Sequence, residues 1–314
     1  MSFKKRGAIK RLVGAKEISI FTLILDHYLN VFEEHNLVGL EGEEEEKTDR
    51  QKEIIDFAAN SANEMIQSLG CEPLITKSKN VHLLKRGASK EDYVEGQYEG
   101  GAFDQYTMAC YIMKTHSEVK LAVRVFHELI HFKSYHAVRF IGIVGQEARV
   151  AEYRLGFGAE NRKKEKAKYF LNIDEAIVTE LAKRFFRKFL SKCPLLEAEA
   201  ERINRKIEEE KMLGTSSIRI NNVFFPIDDV YYFQMVGENP DIELFGYGKE
   251  RKVLNRIIDI IFQENRNRFS DREEVFNIFA KVLFSGNMMP VARLVERTFG
   301  KGAFRALGEG LDIT

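Results

Sequence analysis

The chain has 314 residues, of which 44% are hydrophobic and 11% aromatic, a composition typical of globular proteins that bury a core. Lysine and arginine together number 48, and so do aspartate and glutamate, so the formal net charge is zero. This balance gives no reason to expect a nucleic acid or an anionic membrane as partner, and we predict neither. The length predicts about two domains.

The cysteines and the N-terminus bear on the compartment. Cys71, Cys110 and Cys193 are odd in number and far apart, which excludes a disulfide framework and a CxxC metal site and favours a reducing cytoplasm. The apolar run Ile18–Leu25 follows a basic start but lacks a cleavage site, so we predict a helix from Ile18 to about Glu34 rather than a signal peptide. No apolar stretch approaches the roughly 18 residues of a membrane span, and none is expected.

The predicted elements of the first half lead to one long helix. The acidic run Glu41–Glu46 is interpreted as a solvated linker. Helical spacing of apolar residues predicts a helix over Asp49–Leu69, and two short strand-like pieces follow within 72–84. After a polar loop, Ala102–Met113 is predicted to form one strand, and Ser117 to about Tyr135 a helix.

The second half is predicted to be richer in helix. Alternating bulky residues within Val138–Phe157 predict a pair of strands. A helix then runs from Asp174 to about Leu190, with Asn172 or Asp174 near its N-cap. The remainder, 193–314, is predicted to be mostly helical, with one strand-like interruption. That interruption is Thr215–Phe225, and the later helices are Lys249–Gln263, Asp271–Phe284 and Met289–Phe299.

The strongest chemical signal is the pentapeptide His127-Glu128-Leu129-Ile130-His131, inside the predicted helix. Two histidines four positions apart share one helix face, so their imidazoles can bind one divalent metal ion. The glutamate between them can reach a metal-bound water without being a ligand. This HExxH pattern predicts a zinc ion, Zn²⁺, and metal-assisted hydrolysis.

A catalytic zinc ion needs a third protein ligand. His136 is the one histidine after the motif, and on a continuing helix it would lie about 140° away from the face of His131. Three-histidine sites with a downstream ligand are therefore excluded. The third ligand is a carboxylate, or else the upstream His82 or His116. Among downstream carboxylates Glu175 is favoured, because it lies at the start of the second predicted helix, which can face the first across a groove.

HELIH followed by Asp174-Glu175-Ala176 resembles the gluzincin-type HExxH zinc metallopeptidases, which pair the motif with a glutamate at the start of a second helix. The resemblance implies zinc bound by His127, His131 and Glu175, with Glu128 as general base. As a motif it covers only the two helices.

The chain departs from the family pattern in three respects. His131 and Glu175 are 44 positions apart, a longer interval than in thermolysin-like enzymes. Asp174 replaces the usual asparagine, and Thr179 stands where an acidic residue is usual. Glu180, one position later, is therefore an alternative ligand or a partner of a histidine.

Such a peptidase also needs a donor for the oxyanion of its transition state. Tyr231, Tyr232 and Tyr247 are candidates, with Arg251 as an additional donor. Tyr247 is favoured because glycines flank it before a helix begins. The strand Ala102–Met113 is expected to pair antiparallel with an extended peptide. Gly100 and Gly101 would let the substrate backbone approach closely.

These observations predict an α+β fold: a zincin-like catalytic unit with a small mixed β-sheet and two metal-bearing helices, followed by a mostly helical C-terminal part. The expected division is an N-terminal helical segment and acidic linker over 1–48, a catalytic domain over 49–192 and a helical subdomain over 193–314. The expected function is zinc-dependent hydrolysis of a peptide or protein substrate. The alternative is a non-catalytic helical interaction protein with a vestigial or structural metal site. Substrate preference and oligomeric state are left open.

Overall fold

The computed structural model describes residues 9–14, 20, 22–24, 26–28, 42–85, 100–144, 147–160, 168–220, 223–236 and 239–314. These residues form a mixed α+β structure, as the sequence predicts. Within them, no helix is both long enough and apolar enough to cross a membrane. The predicted helix from Ile18 to Glu34 lies mostly outside the described residues. Within its range, residues 20, 22–24 and 26–28 are described and are helical.

The helices of the described residues are numbered in chain order. They are α1 (Asp49–Ser68), α2 (Glu118–Lys133), α3 (Leu171–Lys188), α4 (Glu197–Met212), α5 (Gly248–Glu264), α6 (Arg272–Ser285), α7 (Met289–Phe299) and α8 (Ala303–Gly308). Helices α1, α2, α3, α5, α6 and α7 match the predicted ones to within a few residues.

The strands are numbered in the same way. They are β1 (Ile9–Val13), β2 (Glu44–Glu45), β3 (Val81–Leu84), β4 (Gly101–Asp104), β5 (Ala109–Met113), β6 (His136–Val144), β7 (Glu147–Leu155), β8 (Gly158–Glu160), β9 (Lys168–Tyr169), β10 (Ser217–Ile220), β11 (Val223–Pro226), β12 (Val230–Val236) and β13 (Asn239–Leu244).

The motif helix α2 packs against β4 and β5 of one sheet, and β6 of a second sheet begins directly after it in the chain. The five-stranded sheet has the order β1-β6-β7-β8-β9 and is antiparallel except for the parallel pair β1–β6. The four-stranded sheet has the order β2-β3-β5-β4, with β3 and β5 parallel and β4 at its edge. The predicted strand pair is thus confirmed as β6 and β7. Together with β8 and β9 it occupies the interval between α2 and α3.

Helix α2 is buried almost throughout, which fixes its orientation. The Ser117 hydroxyl caps it by accepting a hydrogen bond from the Lys120 backbone at 3.0 Å. Phe126 stacks on Phe185 of α3 with ring centroids 4.2 Å apart. This contact lies on the side of α2 that faces α3, so the two helices run side by side.

The predicted single strand Ala102–Met113 is wrong in one respect, because the chain reverses within it. The Asp104 side chain accepts a hydrogen bond from the Tyr106 backbone at 2.7 Å, and Met108 has a left-handed backbone with φ of 51°. These residues make a turn, so β4 and β5 form a hairpin. Of the two strands, only β4 therefore lies at the edge of the sheet.

The start of α3 also differs from prediction. Its N-cap is Phe170, with φ of 62°, rather than Asn172 or Asp174. The Phe170 backbone amide donates to the Gly308 carbonyl at 2.8 Å, and a Cβ on Gly308 would come within 2.6 Å of the Phe170 ring. The C-terminal helix α8 therefore holds the N-cap residue of α3 in place. The Asp174 side chain does not cap the helix and is free to contact other residues.

Two further stretches contain more strand than the sequence predicted. Glu44 and Glu45, within the acidic run, form β2 and pair with β3, so these two residues are part of a sheet rather than a solvated linker. The C-terminal part contains two hairpins, β10–β11 and β12–β13. The first covers the predicted strand-like interruption, and the second was not predicted.

Candidate metal centre

The two histidines of the motif lie on the face of α2 that is turned toward α3. Their ring centroids are 5.1 Å apart. The His131 side chain is buried, whereas the His127 side chain keeps a fifth of its surface exposed. The pair is therefore closed at the His131 end and open to solvent at the His127 end.

Glu175 of α3 faces both imidazoles. Its Oε2 atom lies 3.6 Å from His127 Nε2 and 3.4 Å from His131 Nε2. One potential ligand atom from each of the three residues lies within 4.8 Å of the others, and the described residues contain no other such group of histidine, cysteine and acidic side chains. The fold thus brings together the triad that the sequence predicts, although β6 to β9 intervene.

The donor set and the spacing fit a zinc ion. Four ligands at 2.0–2.1 Å in a tetrahedron lie about 3.3 Å from one another. The separations of 3.4 and 3.6 Å are close to that value and exceed the range of roughly 2.7–3.2 Å for hydrogen bonds to nitrogen. Glu175 Oε2 is buried and has no hydrogen-bond partner. A buried acceptor left unsatisfied between two imidazole nitrogens is what an ion would satisfy.

The charges within the triad are coupled. Burial raises the pKa of Glu175, but His131 and His127 lower it by more, so the pKa of this carboxyl lies well below its usual range. Burial lowers the pKa of His131, but Glu175 and Asp174 raise it by more, to well above its usual value. The carboxylate is therefore ionised, as a metal ligand must be, whereas the same pairing favours the protonated form of His131, whose proton a metal ion would displace.

Asp174 orients His131 from the side opposite the triad. Its Oδ2 atom lies 3.5 Å from His131 Nδ1, and its Oδ1 atom accepts a hydrogen bond from the Phe157 backbone at 2.6 Å. A Cβ on Gly156, which has φ of +55°, would lie 2.3 Å from Oδ1. A carboxylate behind a ligating histidine holds the ring so that its other nitrogen faces the metal. The sequence indicated Asp174 as a candidate near the N-cap and as a departure from the family pattern, but not as a partner of His131.

The Glu128 side chain lies against the edge strand β4. It is buried, and the Phe103 backbone amide hydrogen-bonds its carboxylate. A Cβ on Gly101 would come within 3.1 Å of Glu128 Cγ, a tight contact, so the main chain of β4 passes close to this side chain. Burial raises the pKa of Glu128 above its ordinary value.

The alternative ligands have other partners. Glu180 accepts hydrogen bonds from Arg251, Asn255 and Arg184 at 3.2–3.3 Å. His82 Nδ1 lies 2.8 Å from Glu44 in the four-stranded sheet. His136 begins β6, where its Nε2 lies 3.2 Å from the His131 carbonyl oxygen. His116 is exposed just before α2.

The candidate oxyanion donors occupy two places. Tyr231 and Tyr232 are buried in β12, and the Tyr231 hydroxyl donates to Glu243 Oε2 at 3.0 Å. Tyr247 precedes α5 with φ of 54° and is 41% exposed. Arg251 is buried and binds the Gly246 carbonyl oxygen, which fixes the turn before α5.

Comparison with known protein families, curated proteins and solved structures found no match. The function is therefore inferred from the geometry of this site.

Proposed function

We propose that the chain is a zinc-dependent metallopeptidase of the gluzincin type, with His127, His131 and Glu175 as ligands and Glu128 as general base. The buried, unpartnered Oε2 atom of Glu175 between two Nε2 atoms supports this most directly. A triad of two neutral imidazoles and one carboxylate leaves a coordination position open, as in catalytic rather than structural zinc sites.

Each residue of the site has a role in hydrolysis. A bound zinc ion would supply a Lewis acid that polarises water and the substrate carbonyl. Asp174 keeps His131 with Nε2 directed at the ion. Glu128 accepts a proton from the attacking water as the water oxygen bonds to the carbonyl carbon. It then delivers that proton to the amine nitrogen as the C–N bond breaks. Tyr247 is the proposed donor to the oxyanion.

The substrate in this proposal is a peptide or an extended protein segment. Strand β4 is at the edge of its sheet and runs beside Glu128, so an extended peptide can add to it as an antiparallel strand. The main chain at Gly101 packs against Glu128. A peptide bound on β4 would therefore lie next to the proposed base. The three cysteines are free thiols, which is consistent with activity in the cytoplasm.

Metal content and hydrolysis test the proposal separately. Purified protein should contain about one zinc ion per chain and cleave unstructured peptides. His127→Ala should lose the zinc. Glu128→Gln should keep it and lose hydrolysis, because glutamine cannot accept the proton.

The contrary results are equally clear. A protein that takes up no zinc at neutral pH overturns the metal site. A zinc-loaded protein whose Glu128→Gln variant still cleaves peptides removes Glu128 as the base. Stoichiometric zinc without cleavage of any peptide by the unmodified chain would favour the non-catalytic alternative.

A further inference from the structure

The face of α2 that carries the zinc ligands continues toward the start of the helix. Lys120 and Arg124 precede His127 and His131 at spacings of four, three and four residues, which places all four on one side of the helix. Arg124 lies about one turn before His127. Its side chain is mostly buried, with 16% of its surface exposed.

The Arg124 guanidinium contacts the hairpin formed by β12 and β13. Its Nη2 atom lies 3.0 Å from Glu243 Oε1. Lys120 Nζ lies 3.2 Å from the same oxygen, and the Tyr231 hydroxyl donates to Glu243 Oε2. Glu243 keeps 28% of its side-chain surface exposed. Two cations thus share one carboxylate that solvent reaches, and the site is already built to bind a carboxylate group.

Strand β4 runs along α2 in the same direction as the helix. A Cβ on Gly100, just before the strand, would come within 3.1 Å of Arg124 Nε, and one on Gly101 within 3.1 Å of Glu128 Cγ. Further on, the rings of Phe103 and Phe132 have centroids 5.1 Å apart. Because a peptide added antiparallel to β4 runs the opposite way, its C-terminal side points toward Arg124.

The distance from Arg124 to Glu128 limits how far a substrate group bound by Arg124 can be from the scissile bond. Arg124 precedes His127 and Glu128 by three and four residues, which is about 5–6 Å along the helix axis. An extended peptide covers about 3.3 Å per residue. A group bound at Arg124 is therefore one or two residues beyond the bond that Glu128 serves.

We propose that Arg124 binds a substrate carboxylate one or two residues C-terminal to the scissile bond, in the place now taken by Glu243. The inference rests on the proposed function and names its substrate class. The carboxylate is either the free C-terminus, which makes the enzyme a carboxypeptidase, or an acidic side chain at that position. Arginine suits this role because its planar fork binds a carboxylate through two hydrogen bonds.

Binding to the zinc-loaded Glu128→Gln variant tests the inference without turnover. Fluorescent peptides are compared in three forms: free C-terminus, C-terminal amide, and amide with an acidic residue near the end. Their dissociation constants are measured by anisotropy. Adding Arg124→Gln should weaken the binding of the peptide whose carboxylate Arg124 contacts by about 10- to 100-fold. The binding of the neutral amide should not change. The form that responds identifies the source of the carboxylate.

Arg187→Gln is the matched control. Arg187 lies on α3, twelve residues beyond Glu175 and so about 18 Å along the helix, and it pairs with Asp228 at the surface. This variant removes one positive charge and should weaken none of the three peptides. Equal weakening by both variants would show only a general effect of charge and would overturn the inference.

Glu243→Gln gives a result of opposite sign. If Glu243 occupies the place of a substrate carboxylate, the variant should bind the carboxylate-bearing peptide more tightly than the parent. An ion pair that only joins the hairpin to α2 predicts weaker or unchanged binding instead, and that result would overturn the inference. This variant stays informative if Arg124→Gln fails to fold.

The two proposals fail in distinguishable ways. If the unmodified chain binds no zinc or cleaves no peptide, the proposed function fails, and the inference falls with it. If the chain cleaves free-acid and amide peptides equally well and Arg124→Gln changes neither, the peptidase stands and the carboxylate site is wrong.

Discussion

On helix α3, Glu175 and Glu180 lie five residues apart, and the surroundings of their carboxylates are opposite. Glu175 faces two imidazoles, and its Oε2 atom has no hydrogen-bond partner. Glu180 faces the C-terminal part of the chain, where both of its oxygens accept hydrogen bonds. The donors are Arg251 and Asn255 to Oε1, and Arg184 to Oε2.

The difference separates a structural carboxylate from the proposed metal ligand. Glu180 belongs to an ionic network in which Arg251 also binds Asp229, at 2.8 and 3.0 Å. The network joins α3 to α5 and gains its stability within the chain. The imidazoles stabilise the ionised carboxylate of Glu175, but its buried Oε2 atom lacks a hydrogen bond, which costs about 1–3 kcal/mol. A bound cation would offset that cost.

Glu175→Gln should produce the largest change in metal binding. Even the outer partners of zinc ligands contribute 10- to 100-fold to affinity, so loss of a ligand should weaken zinc binding by more than about 100-fold. Glutamine keeps the size of the side chain, so the metal-free protein should remain folded. Competition with a chromophoric chelator measures the affinity, and circular dichroism checks the fold. Unchanged zinc affinity would show that Glu175 is not a ligand.

Arg251→Met should lower stability and leave zinc affinity nearly unchanged, the reverse of Glu175→Gln. It leaves the buried Glu180 and Asp229 without their shared guanidinium, which should lower the free energy of unfolding by about 3–5 kcal/mol. Urea unfolding in the presence of a chelator measures this. Below the unfolding transition the variant should still bind zinc with nearly the affinity of the unmodified chain. A large loss of zinc affinity in folded Arg251→Met would erase the distinction between the two carboxylates.

Asp174→Asn is expected to lie between these two. The amide oxygen can still accept the Phe157 hydrogen bond, but the negative charge near His131 Nδ1 is lost. We expect zinc affinity to fall by about 10- to 100-fold with little change in the unfolding free energy. The chelator competition assay measures the first and urea unfolding the second. A large drop in stability at constant affinity would assign Asp174 to the fold alone.

Local features of this site could be predicted from the sequence, and long-range ones could not. The helix of the motif follows from the periodicity around Val125 and Leu129 and from the Ser117 cap. The spacing of His127 and His131 alone places them on one face. Glu175 is different, because it lies 44 positions after His131 and was favoured only by its place at a helix start and by the family resemblance.

The features that sequence reasoning missed depend on contacts between distant segments. The role of Asp174 depends on Gly156 and Phe157, which β7 brings beside the start of α3. The early start of α3 depends on Gly308 near the C-terminus. Hydrophobic periodicity contains no information about either pairing. The turn that separates β4 from β5 had a local signal in Asp104, which the surrounding aromatic residues obscured.

The smallest expected effect is a loss of stability at acid pH. It compares the buried Asp229 with its exposed neighbour Asp228. Burial raises the pKa of Asp229, but hydrogen bonds from Arg251 and Lys183 lower it by more, so the native pKa lies below its usual value of 3.8. The native state therefore binds fewer protons than the unfolded state near this pH. The resulting stability is fully present above the unfolded pKa and is lost as pH falls through the native one.

Asp229→Asn removes this contribution and tests its sign. In metal-free protein, the unfolding free energy of the unmodified chain relative to Asp229→Asn should stay constant above about pH 5 and decrease below about pH 4. Asp228 is the matched control: its pKa is also lowered, chiefly by Lys211, but its side chain is 55% exposed. About 1 M salt should abolish the acid dependence that is due to Asp228, because exposed pairs are screened, and should leave that of Asp229 largely intact. If salt removes both, the Arg251 network is as accessible to solvent as the surface, and Glu180 is not held in a dry structural pair.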